Sequence, residues 1–142
     1  MLFDTHAHLE DEQLFSILEQ VLEDASSAGL VGITAIGTTA MTSQKCSQLA
    51  QDYRQIHAAV GIHPNHCQDA TESDWQEILA LSSRSDVVAI GETGLDRYWD
   101  YCPIENQRRW FARHIELSFE TKKPLVIHMR ECESDILAML DE

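Results

Sequence analysis

The stretch FDTHAHL, residues 3 to 9, places His6 and His8 one residue apart inside a short apolar run. Successive side chains of a strand point to opposite faces, so imidazoles at i and i+2 share a face and can grip one divalent cation. Asp4 has the same parity and is placed to orient a ligand from behind. Glu92, in AIGETGLD, adds a carboxylate that can bridge two cations, and Gly91 and Gly94 leave open space around it. His128 ends the otherwise apolar run PLVIH and suits a third imidazole ligand. Imidazole with carboxylate fits Zn, Mn, Fe or Mg in a hydrolytic role better than a soft thiolate set would. Such cations polarise a phosphoryl or carbonyl oxygen and make a bound water acidic.

Each of these residues also has a plain structural reading. Glu92 could cap a helix, and His128 could be a hydrogen-bonded core histidine. His63, directly before Pro64, either closes a turn or contacts substrate. His57 lies early in its strand, at the end away from the other candidates, and reads as structural. His66 falls in a loop. His114 sits on an apolar helix stripe with Trp110 and, like Trp75, reads as packing; Cys132 reads as inert.

Composition narrows the classes. The 142 residues make one domain with room for a core. A net charge of −14 argues against a passive basic nucleic-acid binder, but not against an enzyme that meets phosphates through cations. No apolar run approaches the roughly 18 residues of a membrane span. Asp4, His6, His8 and Glu10 interrupt the N-terminus before a signal-peptide core can form. Four scattered cysteines with no CxxC pair fit reduced thiols in a cytoplasmic protein.

The elements that must position these residues alternate between strand and helix along the whole chain. LFDTHAHL is a strand, and DEQLFSILEQVLEDASSAG follows as one helix with Leu14, Ile17, Leu18, Val21, Leu22 and Ala25 on a stripe. VGITAIGT, IHAAVGIHP, VVAIGETGLD and PLVIHMR are further strands, short and apolar as in a parallel sheet buried on both faces. Between them lie helices at TSQKCSQLAQDY, at ESDWQEILALSS with a Thr71/Asp74 capping box, and after Pro103; ESDILAMLDE begins another. No GxGxxG follows the first strand, which removes the main support for a dinucleotide fold. Polar residues gathered at the C-terminal ends of the strands point instead to a β/α barrel of TIM type.

DTHAHL, VGIHP, IGETGLDRYW and QRRWFARHIELSFETKKPLVIHMRE, in that order, resemble the motifs of the TatD family of metal-dependent deoxyribonucleases, within the amidohydrolase-like barrels. The resemblance covers essentially the whole chain. It implies hydrolysis of phosphodiester bonds with two divalent metal ions (Mg, Mn or Zn), commonly as a 3′-exonuclease on DNA. By position it implies that His6 and His8 bind one metal, that Glu92 bridges both, and that His128 binds the second. It implies that His63 and Arg130 meet the substrate phosphate, guanidinium matching phosphate geometry. Two positions depart from the family pattern. Asn65 follows HP where the family often has histidine, and Met129-Arg130-Glu131 stands where Ser-Arg-Asp is usual.

An eight-unit barrel takes about 250 residues. Five of its units lie here, so residues 1–142 read as one hydrolase domain cut short on its C-terminal side. The family's sixth-strand histidine and its water-activating eighth-strand aspartate have no counterpart in the chain. The five strands would leave two open edges with apolar faces, suited to self-association or to cover by another chain. Three functions remain in view: a DNA phosphodiesterase, a catalytically incomplete metal-binding module or interaction subunit, and an amide or ester hydrolase with the same metal chemistry.

Overall fold

The computed structural model describes residues 2–141. Five parallel strands, β1 (Leu2–Ala7), β2 (Leu30–Ile36), β3 (Ile56–Val60), β4 (Val87–Asp96) and β5 (Leu125–Arg130), pair in chain order into one sheet. Each strand is followed by helix: α1 (Glu12–Phe15) and α2 (Leu18–Ser27), α3 (Ala40–Asp52), α4 (Glu72–Ser82), α5 (Ile104–Thr121) and α6 (Glu133–Leu140). This is five units of a parallel β/α barrel, a sheet curled but not closed. No described helix is long and apolar enough to cross a membrane.

Two layers hold the sheet. Ile33, Ala35, Ile56, Ala58, Val60 and Val87 pack with Leu22, Leu49, Trp75, Ile78 and Trp110 from the helices. Ile36, Ala59 and Ala89 form a smaller layer on the other face. Burying a side chain such as Ile78, which is fully enclosed, contributes about 2–3 kcal/mol. Thr39 and Thr71 each cap a helix with a reciprocal capping box, which fixes where α3 and α4 begin.

The first helix is two helices. Ser16 Oγ donates to the Gln13 carbonyl and Ile17 N–H to the Leu14 carbonyl, so the chain tightens and turns at Ser16–Ile17. Leu18 and Leu22 are buried, while Ile17, expected on the same stripe, is exposed. The outer strands β1 and β5 leave Leu2, Phe3 and Met129 exposed. All four cysteines are reduced and buried; Cys132 donates from Sγ to the Leu95 carbonyl.

Candidate metal centre

The strand order brings His6 from β1, His8 just beyond it, His63 just beyond β3, Glu92 and Asp96 from β4 and His128 from β5 to one end of the sheet. Glu92 is at the centre and buried. Its backbone N–H donates to the Gly37 carbonyl at 2.9 Å, which places the carboxylate between strands. One oxygen, Oε2, faces Nε2 of His6 at 3.4 Å and Nε2 of His8 at 3.8 Å. The other, Oε1, faces Nδ1 of His128 at 3.1 Å and Nε2 of His63 at 3.9 Å. Two donor groups result, His6–His8–Glu92 and His63–Glu92–His128, with ligand atoms within 4.8 Å of one another in each.

Contacts behind the imidazoles set which nitrogen is free. His8 Nδ1 donates to the Ile36 carbonyl at 3.1 Å, leaving Nε2 toward Glu92. Glu10, 3.6 Å from the same nitrogen, is the larger cause of the raised His8 pKa; burial opposes it and the Ile36 carbonyl adds to it. His128 Nε2 donates to Asp96 Oδ2 at 2.9 Å. The Glu92 bond raises the His128 pKa against the cost of burial, with Asp96 assisting. Burial pushes the Glu92 carboxyl up, but the His128 hydrogen bond and the nearby His63 and His6 outweigh it and hold the group below its ordinary range. In His63 the Asn65 N–H donates to Nδ1 at 3.1 Å. Burial and the neighbouring His128 lower its pKa to about 4. A neutral His63 therefore keeps its proton on Nε2, the nitrogen that faces the cleft.

Two readings, of Asp4 and of the glycines beside Glu92, need correction. Asp4 makes no hydrogen bond to an imidazole; its Oδ1 accepts from the His6 backbone N–H at 3.0 Å. The glycines beside Glu92 do not open space. Gly91 and Gly94 have φ of +138° and +140°, and a Cβ at either would collide with a β5 carbonyl, that of Val126 or of His128. They let β5 approach closely enough for His128 to reach Glu92. Arg130 is exposed and its guanidinium lies over the Tyr98 ring at 3.9 Å. His63 closes the turn before Pro64, and its ring lines the cleft. His57 stacks on Phe3, away from the cluster.

Asp96 and Glu10 were not singled out in the sequence. Asp96 lies four residues beyond Glu92 on the same strand face, so parity was an available signal; Glu10 falls in the turn after β1, where parity gives none. A cleft of about 550 Å³ lies over the cluster, lined by His8, Thr38, His63, Asn65, Glu92 and Tyr101 among others. A larger groove of about 650 Å³ between α2 and α3 holds no such set of imidazoles.

Polar side chains collected at the C-terminal ends of parallel strands, with helices outside, define a protein of the β/α-barrel class with a candidate metal centre at the strand ends. The chain belongs to the TatD related DNase family, whose model matches residues 3–142. It is 40% identical over its whole length to the uncharacterized metal-dependent hydrolase YabD of Bacillus subtilis, covering 56% of that protein. It is 30% identical to the 3′-5′ ssDNA/RNA exonuclease TatD of Citrobacter rodentium, with 99% of this chain and 53% of that protein aligned. The crystal structure of YjjV, a TatD homolog from Escherichia coli, superposes with a TM-score of 0.93 at 26% identity over 99% of this chain and 55% of that one. An uncharacterized amidohydrolase from Saccharomyces cerevisiae shares the fold, with a TM-score of 0.86 at 19% identity over 98% of this chain and 51% of that one. The chain spans about half the length of the curated relatives it matches.

Proposed function

We propose that the protein carrying these residues hydrolyses phosphodiester bonds of DNA from the 3′ end, with divalent cations held at the strand-end cluster. The observation that carries the reading is the division of Glu92. Its two oxygens face two separate groups of imidazoles, which is what a carboxylate shared by two cations requires.

The donor set fits: imidazole nitrogens and a carboxylate, with His8 and His128 each fixed by a hydrogen bond from the far ring nitrogen. His6, His8 and Glu92 would hold one cation, and Glu92 with His128 the second. Bound there, the cations supply Lewis acidity at the phosphoryl group and acidify water. His63 is assigned to the substrate. Its Nδ1 lone pair is engaged by Asn65, so its remaining Nε2–H donates into the cleft, where a phosphate oxygen accepts. Half-buried Asn65 lines the same cleft, and its enclosed Oδ1 has no hydrogen-bond partner among the described residues.

The test is a 5′-labelled single-stranded DNA incubated with magnesium or manganese. The expected product is a ladder shortened from the 3′ end, lost with chelator and in Glu92→Ala. Turnover of an amide or ester with no action on DNA would replace this reading with the amidohydrolase one.

A further inference from the structure

Immediately after β4 the chain presents three aromatic residues in four positions, Tyr98, Trp99 and Tyr101, on a short loop beside the cleft. None of them is buried: their exposures are 50%, 41% and 58%. Trp99 and Tyr101 lie nearly parallel, with ring centroids 5.4 Å apart and planes at 15°. Tyr98 meets Trp99 edge-on at 4.8 Å, and the Arg130 guanidinium covers Tyr98 at 3.9 Å and reaches Trp99 at 5.6 Å.

The loop is held at both ends. Asp96 Oδ1 accepts from the backbone N–H groups of Tyr98 and Trp99 at 2.9 and 3.0 Å. Buried Gln107 donates to the carbonyls of Asp96 and Cys102 at 3.0 and 2.8 Å and accepts from the Asp96 N–H. Exposed aromatic faces on a braced backbone lose little entropy when they take a flat ligand. Tyr101 lines the same cleft as Glu92 and His63, so the aromatic surface is continuous with the metal centre.

We propose that Tyr98, Trp99, Tyr101 and Arg130 form a base-stacking platform that receives the nucleobases of a single-stranded nucleic acid whose phosphates enter the cleft. The proposal rests on the phosphodiesterase reading. A chain of net charge −14 offers a polyanion no general attraction. Affinity must then come from contacts at the mouth, and aromatic faces stack on any base irrespective of the charge on the backbone. Arg130, expected to pair with phosphate, lies over the Tyr98 ring and extends the stacking surface while supplying one local cation.

The test is binding of a fluorescein-labelled oligothymidylate, and of an abasic oligonucleotide of the same length, by the 142-residue chain in calcium-containing buffer. Trp99→Ala is expected to weaken oligothymidylate binding about tenfold and abasic binding less than about twofold, and Trp99→Phe to restore it. Trp99 is exposed, and circular dichroism of each variant checks that the fold is kept. If wild type binds oligothymidylate and Trp99→Ala binds it equally, the platform is overturned and the phosphodiesterase reading stands. If both oligonucleotides lose affinity alike in Trp99→Ala, base stacking is overturned. If wild type binds neither oligonucleotide, the nucleic-acid reading fails and the platform with it.

Discussion

Asp96 Oδ2 lies 2.9 Å from His128 Nε2, so a carboxylate at the end of β4 holds the imidazole that β5 brings to Glu92. The same carboxylate caps the aromatic loop through Oδ1. Asp96→Asn keeps an oxygen for the loop and removes the charge that steadies the ring. Metal affinity is expected to fall about 10–100-fold with little loss of thermal stability. Isothermal titration with manganese, beside a melting curve, measures both; unchanged affinity would contradict the positioning role.

Glu92 serves both donor groups and His6 one of them. Elemental analysis after dialysis is expected to find Glu92→Ala stripped of metal at both groups. His6→Ala should retain metal at the group containing His128. Equal losses in the two variants would mean that the groups do not bind independently.

His114 is fully buried, accepts from the Ile62 N–H at 3.1 Å and donates to the Trp110 carbonyl at 2.7 Å. Burial lowers its pKa from 6.5 to about 4. Between those values the unfolded chain binds a proton that the folded chain refuses. Stability is therefore whole above the unfolded value and falls as pH drops toward the folded one. The loss is expected to reach about 2 kcal/mol between about pH 7 and pH 5. Denaturant unfolding at the two pH values, compared with His114→Gln, isolates this term, since other groups titrate alike in both proteins; equal losses would contradict it.

Gly94 tests the close approach of β5. Its φ is +140°, and an added Cβ would press on the His128 carbonyl. Gly94→Ala is expected to cost about 3 kcal/mol and to weaken metal binding, because the shift falls on the ligand itself. Gly29, with φ +90° and open space around it, supplies the control. Gly29→Ala should cost about 1 kcal/mol and leave metal affinity unchanged. Thermal melts and metal titrations of both variants decide whether contact or φ strain dominates.

Much of the arrangement could be read from residue order. The apolar runs marked all five strands, and Thr71 with Asp74 marked the start of α4. His6, His8, Glu92 and His128 stood out because polar residues were placed in or at the ends of apolar strands. The break at Ser16–Ile17 was not legible, because helical spacing continues through it and a hydroxyl-to-carbonyl bond decides it. The role of Gly91 and Gly94 was misread for a related reason: a glycine states what is missing from a position, and only the neighbouring strand shows what fills the space.

The sequence by itself determined the fold class, the strand-end histidines and the central carboxylate, since these follow from local periodicity and residue chemistry. Tertiary structure decided how Glu92 divides its oxygens, which nitrogen of His8 and of His128 is free, and that Asp96 stands behind His128. Each of these is a contact between strands 28 or more residues apart, from His8 with Ile36 to His128 with Glu92. Strand register and close backbone approach set such distances to within an ångström, and no local pattern in the chain encodes them.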